Sequence, residues 1–331
     1  MLLKYLSKIL NLIQRSLAKV QGILFKNYDM RHINLYYRKY SRDNHFYTFS
    51  KSITEYAIKN SEKINELKEN LDQKSIELIN TLLERYHYVY THNVLELNKI
   101  LSLKELEEEG VIIKHNIEYK QTKKPILRNF DTAVFYYKHG LIYVPEESIY
   151  KLIEKDVIDG GAYIGDSAFM FENDFKINKI HSFEPNFKNY RILRKSIELN
   201  NLKKVIPVNA GLGFKKGLIK IEDSGSATSL LKQGSEEIQV TTIDDYVLEN
   251  NLNIGVIKLD IEGCGLRAIK GAINTLKQQK PILLLSIYHS SEEFFELKSY
   301  IASLNLDYKI IIRKLGANKP FYDTNLIAWV E

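Results

Sequence analysis

Five apolar runs, at residues 156–159, 179–184, 204–208, 254–260 and 281–288, alternate with stretches of helical spacing such as "NFKNYRILRKSIELN" and "GLRAIKGAINTLKQQ". No other feature constrains the fold of this chain as strongly. Parallel strands need crossover helices, so the alternation predicts an α/β fold with a Rossmann-like, doubly wound sheet. The end of the chain departs from the pattern. "YKIIIRKL" and "TNLIAWV" are strand-like and joined by the turn-rich "GANKPFYD", which predicts an antiparallel pair. Just ahead of the alternating region, "TAVFYYKHGLIYVP" reads as a β-hairpin.

Residues 1–130 form a separate, mostly helical region in this reading, with the main domain spanning 131–331. In 1–26, Leu2, Leu6, Ile9, Ile13, Leu17, Val20 and Leu24 make one apolar stripe, while Lys4, Lys8, Arg15, Lys19 and Lys26 gather on another face. Such a basic amphipathic helix suits either an anionic membrane surface or ordinary packing on its own protein. The first 50 residues carry nine Lys or Arg and two Asp, a net +7, against +6 for the whole chain. The basic balance therefore belongs to this arm and says little about the ligand of the main domain. Lys8 and Arg15 interrupt any secretory core, no run is apolar enough to span a membrane, and Cys264 has no second cysteine to pair with; a cytoplasmic protein is expected. Further on, Ile76, Ile79, Leu83, Tyr86 and Tyr90 share a helical face, and "LKELEEEG" is expected to end a helix at Gly110. His87 and His92, five apart, share no helical face, and no metal site is expected.

In a doubly wound sheet the ligand sits beyond the carboxyl ends of the strands. The loop after the first strand, "VIDGGAYIGDS", has no GK[ST] ending, and Tyr163 stands where a dinucleotide fingerprint needs its second glycine. Asp159 would repel a pyrophosphate but attract an ammonium. Glu184, ending the second strand in "IHSFEP", is placed to accept from both hydroxyls of a ribose. Ammonium, close backbone and ribose together describe S-adenosylmethionine. The plainer alternative is that Asp159 caps the next helix and Glu184 is a surface acid.

"VIDGGAYIGDS", "SFEPN", "VTTIDDY", "IKLDIEG" and "PILLLSIYH" stand in the order seen in FkbM-type methyltransferases, and residues 131–331 resemble that class I, S-adenosylmethionine-dependent family. The resemblance implies a seven-stranded sheet with an antiparallel final hairpin. It implies that Asp159, Gly160, Gly161 and Gly165 hold the methionine part, that Glu184 holds the ribose, and that Asn209 and Ala210 lie near the adenine. It also implies O-methylation, typically of a sugar hydroxyl in a glycan or surface polysaccharide. The family pattern D-x-E-G-x-E here ends in Gly265, which leaves Asp260, Glu262 and His289 as the candidate catalytic groups. Asp260 and Glu262 have capping as their plainer role, and His289 a wall position. "DSGSATSLL" (223–231) suits a hydroxyl-rich lid or a plain surface loop.

Three rival readings remain at this stage. A nicotinamide-dependent oxidoreductase is disfavoured by Asp159 and the missing fingerprint. A nucleic-acid methyltransferase would carry [DN]-P-P-[FY] where this chain has "DIEG", so no nucleic-acid partner is expected. A non-catalytic S-adenosylmethionine-binding module is kept open by Gly265.

Overall fold

The structure, a computed structural model, describes residues 44–92, 102–127, 130–221, 236–316 and 319–331. The expected helix at 1–26 and the loop at 223–231 lie outside these residues. Helices α1 (Asn44–Lys59), α2 (Ser61–Lys68), α3 (Gln73–His92), α4 (Leu103–Lys123), α5 (Thr132–Phe135) and α6 (Glu146–Tyr150) come first. There follow β1 (Asp156–Gly160), α7 (Asp166–Asp174), β2 (Ile180–Phe183), α8 (Phe187–Leu199) and β3 (Val205–Val208). Then come β4 (Gly211–Leu212), β5 (Gly217–Ile221), β6 (Glu236–Thr241), α9 (Ile243–Asn250) and β7 (Ile254–Leu259). The chain ends in α10 (Gly265–Lys270), α11 (Ile273–Gln279), β8 (Ile282–Ser286), α12 (Ser291–Ser303), β9 (Lys309–Lys314) and β10 (Thr324–Trp329).

Seven strands form one sheet in the order β3-β2-β1-β7-β8-β10-β9. The first five are parallel, and β10 inserts antiparallel between β8 and β9. The doubly wound, Rossmann-like sheet and its antiparallel end are as expected, and the order reverses between β1 and β7, where such sheets open a ligand crevice. Successive strand residues point to opposite faces. Ile158, Ile257, Leu283, Leu285 and Leu326 join one core with Leu276, Phe294 and Leu297, while Val157, Val256, Leu284 and Ile327 join another with Phe169 and Phe171. Burial on both faces is why these strands read as continuous apolar runs.

The first core also includes Ile53, Leu67, Ile79 and Tyr86 of the N-terminal helices. Tyr86 stacks on Phe321 at 4.9 Å and meets Phe294 edge-on at 6.1 Å. At the sheet's outer strand, Ile312 N donates to Ser75 Oγ at 2.8 Å, and the Ser75 hydroxyl lies 3.2 Å from Ile312 O and closer to its other acceptor, Asp72 Oδ1.

Two local expectations are corrected. "TAVFYYKHGLIYVP" is not a hairpin: it forms α5 and a 3₁₀ segment, Lys138–Tyr143. Asp131 caps α5 by accepting from Ala133 N at 2.8 Å, and positive φ at Lys138, His139 and Gly140 turns the chain back on itself. Its apolar residues, Phe135, Tyr137 and Leu141, are buried against helices and the sheet face rather than along a pleat. Gly110 does not end its helix. A Ser102–Glu105 capping box starts α4, and burial of Ile112 and Tyr119 beyond the glycine, worth about 1.5–3 kcal/mol per large apolar side chain, exceeds glycine's cost of about 1 kcal/mol. The helical spacing of 265–279 is realised as two helices, α10 and α11, parted at Gly271, where a Cβ would stand 2.2 Å from Gly213 O.

Candidate active site

The loops after β1, β2, β7 and β8 meet at one edge of the sheet. After β1, the N–H groups of Gly161 and Ala162 both donate to Phe183 O, at 3.0 and 2.9 Å, so the glycine turn crosses the end of β2. Gly161 has φ +75°, and a Cβ there would stand 1.9 Å from Asp260 O; no other residue fits. Tyr163 and Gly165 also take positive φ before α7 begins. Glu184 is buried beneath this turn. Its Oε2 accepts from Tyr163 N at 3.0 Å and its Oε1 from Asn186 N at 2.9 Å. Burial pushes its carboxyl up to about 7 despite these bonds. Asn209 donates to the backbone oxygens of Glu184 and Pro185, at 2.9 and 3.1 Å, and Ala210 is buried beside it.

Asp159 does not cap a helix. Fully buried, it pairs with Lys258 on β7 at 3.1 Å and accepts from Ser182 Oγ at 3.1 Å. Lys258 also donates to the carbonyls of Gly160 and Gly161, at 3.2 and 3.0 Å, so the pair pins the glycine turn from behind. Burial pulls this lysine down, but Asp159 and Asp260 outweigh it and hold the ammonium above its usual range. Asp166, in the first turn of α7, is pushed up to about 6, by burial first and then by Asp131, with Lys258 opposing.

Asp260, Glu262 and His289 come together at the ends of β7 and β8. His289 Nε2 lies 3.2 Å from Asp260 Oδ1 and 3.7 Å from Glu262 Oε2. The Tyr288 hydroxyl lies 3.3 Å from each Asp260 oxygen. Burial raises Asp260, but the bond to His289 and the charges of His289 and Lys258 hold it well below the carboxylate range. Burial lowers His289, and Asp260, Glu293 and Glu262 together drive it well above its ordinary value. The His289 side chain is 8% exposed and that of Asp260 33%, so the pair is open to a ligand on the aspartate side. Neither Asp260 nor Glu262 caps α10, whose N-cap is Cys264 with no side-chain bond. Gly265 N donates to Glu293 Oε1 at 2.6 Å. Among the described residues no three His, Cys, Asp or Glu side chains converge in a way that could hold a metal ion.

The edge also holds residues that the sequence reading passed over. Lys319 bridges Asp131 at 2.8 Å and Asp323 at 2.7 Å, joining the segment before α5 to the start of β10. Tyr322 meets Tyr288 edge-on at 5.7 Å. His139 Nε2 lies 2.8 Å from Ser167 Oγ, and its pKa is pushed down to about 3 by burial and by Lys258. Lys258 did leave a signal: a lysine inside the apolar "IGVIKLD" must be buried, and a buried charge needs a partner.

Residues 159–310 match the Methyltransferase FkbM domain. In structure the chain is similar to the methyltransferase FkbM from Methylobacillus flagellatus KT, with a TM-score of 0.59 and 20% identity over 84% of this chain and 61% of that one. It thus spans about three fifths of that protein's length. Looser likenesses include an rRNA methylase from Streptococcus thermophilus (TM-score 0.38, 10% identity, 61% of this chain and 99% of that one). Another is an O-methyltransferase from Bacillus cereus (TM-score 0.36, 12% identity, 66% of this chain and 100% of that one). No curated protein matches the chain in sequence. The likeness to the FkbM methyltransferase family is thus carried by residues 159–310.

Proposed function

We propose that this chain is a cytoplasmic, S-adenosylmethionine-dependent O-methyltransferase acting on a sugar hydroxyl of a glycan or surface polysaccharide. The observation that carries the reading is the convergence of a glycine turn, a buried carboxylate and an Asp–His pair on one sheet edge.

The donor set fits the cofactor. Glu184 accepts backbone N–H groups on both oxygens and a side-chain bond from Asn189, and its remaining capacity would accept from a ribose hydroxyl. Asp159, Gly160, Gly161 and Gly165 form the wall for the methionine part, with Asp166 as a second carboxylate near its ammonium. Asn209 and Ala210 would lie beside the adenine. Bound there, S-adenosylmethionine would supply a methyl group on a cationic sulfur for transfer to an acceptor oxygen.

On the acceptor side, Asp260, whose side chain is a third exposed, takes the hydroxyl proton, later releasing it to water. His289, Nε2–H on Asp260, orients that carboxylate. Alignment of the reactants carries much of the rate, since positioning is worth about 7–11 kcal/mol. Tyr288, Tyr322, Asp131, Lys319 and Asp323 line the acceptor side with ring faces and charged hydrogen-bonding groups, the mixture a sugar presents in complement. The basic face of residues 1–26 suits residence at the inner face of the membrane, where a lipid-linked glycan would be met. No described helix is long and apolar enough to cross a membrane.

Thermal shift with S-adenosylmethionine, then mass spectrometry of glycans from cells with and without the protein, tests this reading. Stabilisation and a gain of one methyl group are expected. Stabilisation by a nicotinamide dinucleotide alone would overturn it.

A further inference from the structure

The signature Ser-x-x-Glu occurs at the start of two helices in this chain, and the structure uses it in two ways. At α4, Ser102 and Glu105 close a capping box: Glu105 N donates to Ser102 Oγ at 3.2 Å, and Ser102 N donates back to Glu105 Oε2 at 2.8 Å. At α12 only half of the exchange is made. Glu293 N donates to Ser290 Oγ at 3.1 Å, but the Glu293 carboxylate turns inward instead of returning to the N-cap. Its Oε1 accepts from Gly265 N at 2.6 Å, and its Oε2 lies 3.7 Å from His289 Nδ1. Gly265 makes the room, because a Cβ there would stand 2.8 Å from Glu293 Oε1.

Glu293 is only 1% exposed, and a buried carboxylate needs a counter-charge. Its Oε2 and His289 Nδ1 are both buried, and neither has a hydrogen-bond partner. They face each other at ion-pair range, slightly beyond hydrogen-bond length, a gap of the kind that closes when a site is loaded. We infer that Glu293 is the positioning residue of the site: it fixes the His289 ring through Nδ1 and so commits Nε2–H to Asp260, which leaves Asp260, not His289, to receive the acceptor's proton. The assignment rests on the methyltransferase reading for its chemistry, but its geometry stands alone.

The groups around the ring agree. Asp260 and Glu262 face it from the β7–α10 turn and Glu293 from its own helix; the Tyr288 ring lies 4.1 Å from the imidazole with its hydroxyl by Asp260, and Lys258 acts on Asp260 by its charge. Three carboxylates overcome burial and hold the imidazole protonated well above its ordinary 6.5.

The test is an NMR titration of the imidazoles in the full chain without ligand, with His289→Gln identifying the signal. The unmodified chain should keep His289 charged well above pH 6.5, and Glu293→Gln should lower its pKa by about one unit, tenfold in acidity. In turnover, the alkaline limb of kcat/KM should move to lower pH by the same amount, and Glu293→Asp should restore part of it. A His289 that titrates at or below its ordinary value in the unmodified chain overturns the inference. So does a folded Glu293→Gln variant with an unmoved titration. Because the titration needs no activity, its outcome is separate from any failure of the methyltransferase reading. If Glu293→Gln does not fold, the unmodified chain and Glu293→Asp decide the question.

Discussion

Two ionic clusters sit a strand apart at the same sheet edge, and they are built on opposite plans. Asp159 and Lys258 are one acid and one base, both buried, with Ser182 donating to the acid and two carbonyls accepting from the base. Around His289, by contrast, three carboxylates share one imidazole, and Asp260 is a third exposed. The balanced cluster has nothing left to offer a ligand except rigidity. The unbalanced one keeps a carboxylate oxygen and a movable proton. Lys258 and Asp260 are two residues apart on the same strand end, so one β-strand supplies a fastener and a reactive group side by side.

Breaking the balanced pair should have the largest effect. Asp159→Asn leaves Lys258 buried and unpaired, which costs about 3–5 kcal/mol of stability. Urea unfolding measures the loss, and adding Lys258→Met should recover most of it. A neutral Asp159→Asn would mean that the pair is wetter than its burial indicates. On the unbalanced side, Asp260→Asn should lower turnover about 10²–10⁴-fold while cofactor affinity, followed by calorimetry, stays nearly constant. Equal losses in both would erase the distinction between the clusters.

Glu184 sharpens the comparison from the cofactor side. With its carboxyl near 7, the ionised form that accepts ribose hydroxyls is lost as pH falls through that value. Affinity for S-adenosylmethionine should therefore rise between pH 6 and 8, about 7 being the midpoint. Glu184→Gln should remove that dependence and about 1.5–3 kcal/mol of binding. A flat profile in the unmodified chain would point to a ligand that does not use this acid. A last prediction concerns the arm, away from both clusters. Removing residues 1–26 should abolish sedimentation with anionic vesicles at low salt, at about 1 kcal/mol per cation lost, without changing cofactor binding. If the deletion unfolds the chain, the apolar stripe belongs to the core.

The strands were legible because burial on both faces wrote them as unbroken runs, as in "PILLLSIYH". The residues named for the site all fall at the one edge, since strand ends are fixed once strands are. What escaped was whatever depends on contacts distant in sequence. Glu293 looks like a capping residue until Gly265 is seen to lie against it. The partner of Lys258 stands 99 residues away, and nothing local distinguishes it. The segment 131–144 misled because Phe135, Tyr137 and Leu141 alternate as a strand would, although the positive φ of Lys138 through Gly140 rules a pleat out. The small sheet was missed because Ile238 and Val240 are the only core residues that β6 contributes.

The outermost strand has a practical consequence. A bare strand edge invites association with other chains. Here the Ser75 hydroxyl meets both the N–H and the carbonyl of Ile312, standing in for a neighbouring strand. The segment shared with the family stops at residue 310, inside β9, and omits β10, which separates β9 from β8. A fragment cut at those limits would lose β10 and bare the flank of β8, so the limits of the family segment are poor limits for a stable fragment.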